Sequence, residues 1–92
     1  MTEARRLIVI GRVQGVGYRN AFEMTARRYG LAGWVRNRLD GTVEAWVEGE
    51  TNSVASIIDW AAKGPPAARV DDIEVLRVEP AGLQTFVRKE TV

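Results

Sequence analysis

Asp40-Gly41 stands between two stretches that both read as β-strand, and no other feature constrains the fold of this chain so tightly. Both residues tolerate positive φ, so the pair predicts a two-residue hairpin turn. Residues 34–39 form the incoming strand. The returning strand, residues 42–48, alternates: Val43, Ala45 and Val47 point one way, and Glu44, Trp46 and Glu48 the other. Gly49 ends it. Each arm is flanked by a helical pattern. On the N-terminal side Phe22, Thr25 or Ala26, and Tyr29 share one face, with Asn20 as N-cap and Gly30 as a left-handed stop. On the C-terminal side Val54, Ile57, Ile58 and Ala61 form the stripe of a helix over residues 53–63. Thr51, Asn52 and Ser53 compete as its cap, and Gly64-Pro65-Pro66 stops it.

Two more strands lie outside this unit. Leu7-Ile8-Val9-Ile10 is β-branched and wholly apolar, which predicts a central strand buried on both faces. Residues 70–79 form another, with a phase shift near Val75-Leu76 that predicts a bulge. Pro80-Ala81-Gly82 is a turn, and residues 85–88 make a short strand at a sheet edge. The order is βαββαβ with a short extra C-terminal strand. Its compact solution is an α+β, ferredoxin-like α/β sandwich: a mostly antiparallel sheet, two helices on one face, and a right-handed first crossover. At 92 residues the expectation is a single domain over 1–92.

Composition narrows the chemistry. The chain is 46% hydrophobic and 27% charged, an ordinary balance for a soluble globular protein. It has no Cys and no His, which excludes disulfides, thiol and Ser-His-Asp catalysis, and zinc-histidine sites. Any catalysis must use Arg, Lys, Asp, Glu, Asn, Tyr or backbone groups. The adjacent Asp71 and Asp72 point to opposite faces of a strand, so no metal and no cofactor is expected. A net charge of +1 gives no field for nucleic acid. No apolar run approaches a membrane span and the N-terminus is not signal-like, so the expectation is a cytoplasmic monomer away from membranes. Arg27-Arg28, Arg36 and Arg38 read as solvated, and Trp34, Trp46 and Trp60 as packing residues.

The segment from Gly11 to Arg19 holds three glycines in nine residues, between a strand and a helix. Glycines there let the N–H groups of Gly15, Val16, Gly17 and Tyr18 converge on an anion, with the helix N-terminus behind them and the Arg19 guanidinium beside them. A tight turn with no ligand is the alternative. Gln14 is loop scaffold or a supporting hydrogen-bond partner. The spacing is neither a Walker A loop nor a dinucleotide fingerprint. Asn37 is polar where its alternation with Val35 predicts an apolar residue; turn chemistry is the plain explanation, but Asp40-Gly41 already supplies the turn.

Gly11-Arg12-Val13-Gln14-Gly15-Val16-Gly17-Tyr18-Arg19 resembles the N-terminal signature of the acylphosphatase family. The run from Gly33 through Asn37 to Gly49 resembles its second signature, and Trp60, Gly64-Pro65, Ala68 to Val70 and Ile73 also look like that family. The resemblance covers almost the whole chain. It implies a ferredoxin-like fold and hydrolysis of a small-molecule acyl phosphate to carboxylate and inorganic phosphate. It implies that Arg19 and the loop amides bind the phosphate and that Asn37 holds the attacking water. Inorganic phosphate and sulfate are then expected competitive ligands. Tyr18 stands where the family more often has Phe, and its hydroxyl needs a partner. The end from Phe86 to Val92 runs past the family's usual short basic end.

This chemistry needs no strong base, because an acyl phosphate carries a good leaving group. The task is to neutralise phosphoryl charge and align a water. The loop has no Ser, Thr, Cys or His, which disfavours a phosphoenzyme and leaves only Tyr18 formally available. Two rivals share the fold: an RNA-recognition or regulatory module, and a phosphate-binding domain without turnover. An RNA reader shows aromatics on central strands within a basic sheet face, and Leu7 to Ile10 has none.

Overall fold

The computed structural model describes residues 1–92. In chain order the elements are β1 (Thr2–Arg12), α1 (Tyr18–Arg28), β2 (Ala32–Asn37), β3 (Val43–Glu50), α2 (Thr51–Lys63), β4 (Arg69–Val78) and β5 (Phe86–Arg88). The sheet order is β4-β1-β3-β2-β5. All pairs are antiparallel except β2 with β5. Both helices cover one face: Tyr18, Phe22 and Ala26 of α1, and Val54, Ile57 and Ala61 of α2, close over Leu7, Val9, Val35, Val43, Ala45, Val47 and Phe86. Aromatic rings seal the joint between helices, with Phe22 edge-on to Trp60 at 5.7 Å and against Phe86 at 5.8 Å.

The βαββαβ sandwich is as expected, and the local differences have physical causes. β1 is internal, but within the apolar run Leu7 to Ile10 only the helix-side Leu7 and Val9 are fully buried. Ile8 and Ile10 lie half-buried on the open face, because no second layer covers it. α1 starts at Gly17, so Asn20 sits inside the first turn and caps nothing; the buried stripe is Tyr18, Phe22 and Ala26, and Tyr29 is exposed. Gly30 ends the helix with φ 72° as expected. α2 begins at Thr51 on Glu50, without a side-chain cap. β3 runs through Gly49 to Glu50.

The hairpin loop has three residues, not two. Gly41 N donates to Arg38 O at 3.1 Å and Arg38 N to Thr42 O at 2.9 Å, leaving Leu39, Asp40 and Gly41 in the turn. Only Gly41, φ 92°, is left-handed, the pattern of a type I turn closed by a glycine bulge. The sheet bulge falls not at Val75-Leu76 but at Asp71, where Ile10 pairs Asp72 and Gly11 pairs Val70. A Cβ on Gly11 would stand 2.1 Å from Arg69 O, so glycine is required where the two backbones close. Arg69 takes up the Asp71 carboxylate at 3.0 Å, and no group of carboxylates gathers to form a metal site.

Because β4 and β5 lie at opposite edges, residues 79–85 must cross the sheet. Four strand spacings are about 19 Å, within the reach of a nearly extended seven-residue link. The link crosses the open face, where Glu48 accepts the N–H groups of Ala81, Gly82 and Leu83, each at 3.0 Å, and the Trp46 indole at 2.8 Å. Beyond β5 the chain stays on β2: Lys89 N donates to Val35 O, Val92 N to Asn37 O, and Leu39 N to Val92 O.

Candidate active site

The loop between β1 and α1 is held at both ends of its length. Val13 is buried and Val16 packs on the core, which turns Gly15 and Gly17 outward. Gly15 has φ 74° and Gly17 φ 79°, whereas Val16 between them is not left-handed. A Cβ on either glycine would meet nothing within 4 Å, so backbone conformation and not space demands glycine. Left-handed residues of this kind are what an anion nest of successive N–H groups is built from. The N–H groups of Gly15, Val16 and Gly17 donate to no protein acceptor. The first intrahelical bond of α1 runs from Ala21 N to Gly17 O, so the amides of Tyr18, Arg19 and Asn20 are free as well. The helix has no capping side chain and no acidic residue in its first turn, so its positive end stays uncompensated.

A cleft of about 120 Å³ lies over these amides. Gly15, Gly17, Tyr18 and Arg19 form one wall; Asn37, at the end of β2, faces them, with Arg88 of β5 at the side. Arg19 is half-buried and makes no hydrogen bond or ion pair within the protein, in contrast to Arg88, whose Nε pairs with Glu23 Oε1 at 3.0 Å. No carboxylate lines the cleft. Its donors and guanidinium groups therefore suit an anion. Asn37 shares its side of the strand with buried Val35, and its Oδ1 is buried without a hydrogen-bond partner in the protein. Such an acceptor is costly unless a ligand or water satisfies it.

The sites expected from the sequence come together, with one refinement. Tyr18 brings its amide but not its hydroxyl: the ring is fully buried and the OH donates to Ala61 O at 2.8 Å. Burial pushes this phenol far above its ordinary pKa, so it is no nucleophile. Val16 does not line the cleft; its side chain packs on the core. Gln14 acts as the supporting partner, its Nε2 donating to Arg38 O at 2.8 Å and Thr42 O at 2.9 Å, which ties the glycine loop to the strand end that carries Asn37. Arg88 at the cleft was not legible in the sequence. Its spacing of two from buried Phe86 puts it on the core side of β5, yet only the parallel pairing with β2 brings that strand beside Asn37.

Arg36 and Arg38 are not solvated as expected. On the open face, Glu44 Oε1 accepts Arg36 Nε at 2.8 Å and Arg38 Nη1 at 3.0 Å, and Oε2 accepts Arg6 Nε at 2.6 Å. Burial alone would raise the Glu44 pKa; the hydrogen bonds from Arg36, Arg6 and Arg38 outweigh it and hold the carboxyl below its ordinary value. Arg27 likewise ties α1 to β5 through Phe86 O, at 2.9 Å from Nη2, while Arg28 stays in solvent.

The fold is a ferredoxin-like sandwich whose first loop carries unpaired amides beside a cleft without carboxylates. The acylphosphatase family profile matches residues 5–87 of this chain. An acylphosphatase of Acidovorax sp. (strain JS42) is 51% identical over 88 residues, covering 96% of this chain and 91% of the relative. The crystal structure of acylphosphatase from Bacillus subtilis superposes with a TM-score of 0.92 at 41% identity, over 97% of this chain and 99% of that one. Full-length HypF in its phosphate- and nucleotide-bound form matches at TM-score 0.91 and 31% identity, but over 12% of its own length against 99% of this chain. The chain belongs to the acylphosphatase family, whose members are hydrolases. No helix is long and apolar enough to cross a membrane.

Proposed function

We propose that this chain hydrolyses acyl phosphates by direct attack of a water held by Asn37, with the phosphate bound by Arg19 and the amides of Gly15, Val16, Gly17, Tyr18 and Arg19. The observation that carries the reading is the buried, unpartnered Oδ1 of Asn37 across a cleft whose other wall is the free amides and Arg19. The carboxamide accepts from water through Oδ1 and keeps its NH₂ for a phosphoryl oxygen, without titrating. As the water oxygen forms its bond to phosphorus, the bond from phosphorus to the acyl oxygen breaks. The carboxylate leaves, and the water proton passes to the phosphate. Arg19 and the amides neutralise charge on the equatorial oxygens, so neither a base nor a metal is needed. On this reading the protein works as a cytoplasmic monomer, and inorganic phosphate and sulfate compete with substrate for the nest.

A second reading on the same fold and cleft is a phosphate-binding domain without turnover; HypF, which matches this chain over 12% of its own length, is a phosphate-bound structure. Turnover of acetyl phosphate and benzoyl phosphate separates the two. The expected result is release of carboxylate and phosphate that saturates with substrate. Phosphate binding without release above the uncatalysed rate leaves the binding-domain reading standing.

A further inference from the structure

We propose that Glu44 is a positioning residue for Asn37, acting through Arg36 and Arg38 from the open face of the sheet; this rests on the water-holding role proposed for Asn37. Glu44 lies on the central strand, on the face that the helices leave uncovered, yet is only 3% exposed. Its burial comes from the guanidinium groups gathered over it. One carboxylate oxygen, Oε1, receives both Arg36 and Arg38, the residues on either side of Asn37. The other receives Arg6 on β1.

The position of Asn37 gives this clamp its purpose. The ladder between β2 and β3 ends at the pair of Asn37 with Val43. Beyond it Arg38 N to Thr42 O closes the turn and Val92 N reaches Asn37 O, so the backbone is tied but the side-chain aim still has to be set. A catalytic side chain displaced by about 1 Å can cost about 100-fold in rate. Glu44, paired to Arg36 one step inside that end, pins both neighbours of Asn37 to the middle strand. The side chain of Asn37 points to the opposite face, where Val35 is buried, so Glu44 never meets substrate. It sets the aim with which Asn37 reaches into the cleft. Arg6 binds the same carboxylate from the far strand and has no such link, which makes it the internal control.

The test compares kcat with acetyl phosphate and the inhibition constant of inorganic phosphate in Glu44→Gln, Asn37→Ala, the double variant and the wild type. Glu44→Gln is expected to lower kcat about tenfold or more, with phosphate inhibition nearly unchanged. In the Asn37→Ala background the same substitution is expected to do almost nothing further, because its effect passes through Asn37. Full kcat in folded Glu44→Gln, or an undiminished loss in the Asn37→Ala background, overturns the proposal. If Asn37→Ala itself keeps full kcat, the water-holding role fails, and the proposal with it. Should Glu44→Gln not fold, Arg38→Gln against Arg6→Gln decides: a larger fall in kcat for Arg38→Gln supports the clamp, and equal values overturn it.

Discussion

Arg19 and Asn37 face one cleft but are built for different work, and their variants should fail differently. Arg19 has no partner in the protein and, in the proposed mechanism, meets phosphate in both ground and transition states. Arg19→Ala should therefore weaken phosphate affinity and kcat together, with poor rescue by Lys, which lacks the planar fork. Asn37→Ala should lower kcat on the order of 100-fold while phosphate still binds nearly as well. Calorimetric phosphate affinity beside kcat for each variant checks the division; equal loss of affinity in both would show it wrong. Tyr18 offers a contrast at the same scale. Its hydroxyl serves Ala61 O in the last turn of α2 and leaves the cleft alone. Tyr18→Phe is expected to cost about 1 kcal/mol of stability through one lost buried hydrogen bond. Its kcat should stay at the wild-type level, as urea unfolding and turnover on one preparation would read.

At the scale of elements, the glycine loop and the two buried glutamates carry the next expectations. Gly15 and Gly17 hold left-handed backbone in open space. Gly15→Val and Gly17→Val should lose phosphate affinity with the fold intact, because a β-branched residue resists that φ and turns the amides away. Wild-type affinity in both would reduce the loop to an ordinary turn. Glu44 and Glu48 are held below the ordinary glutamate pKa: burial pushes each up, and the hydrogen bonds from Arg36, Arg6 and Arg38, or from Ala81, Trp46, Leu83 and Gly82, outweigh it. A carboxylate depressed in the folded state stabilises above its unfolded pKa and loses that contribution as pH falls through the folded one. Stability should thus be flat from neutral pH down to the ordinary glutamate range near 4.5 and fall below it. Glu48→Gln should cost about 1.5–3 kcal/mol at neutral pH by releasing the link that crosses the sheet. It should also flatten the acid limb; an unchanged limb in urea titrations at several pH values would acquit Glu48.

For the whole molecule, the proposed phosphate site links binding to folding, because it exists only when β1, α1 and the end of β2 are assembled. At ten times its Kd, inorganic phosphate should add about 1.4 kcal/mol. For a domain of this size that raises Tm by roughly 5–10 °C. Sulfate should do the same, and both should inhibit competitively. Turnover should survive excess EDTA. Activity that vanishes with EDTA and returns with Mg²⁺ would overturn the metal-free reading, and a Tm indifferent to phosphate would show that phosphate does not bind the folded protein.

The order of elements and the glycine-rich loop could be read from the residues alone, because both are local. Alternation with period two, helical stripes and glycine stops at Gly30 and Gly64 record what each segment must bury and where its backbone must turn. Asn37 stood out for the same reason, as a polar residue in an apolar phase. Strand-pair geometry is not local. The bulge belongs to Asp71 because Gly11 and Arg69 close on each other, and that meeting depends on which strands are neighbours. Glu44 and Glu48 looked like solvent-facing residues of an alternating strand. They are buried because three arginines, on β1, on β2 and just past its end, and a link crossing between sheet edges, converge on them. Arg88 reaches the cleft through the one parallel pairing in the sheet. The sequence by itself determined the elements, the helical face of the core and the glycine turns of the first loop, since each follows from neighbours along the chain. The tertiary structure alone decided which charges are clamped, where the sheet bends and what stands across from Arg19, since these contacts join residues far apart in sequence.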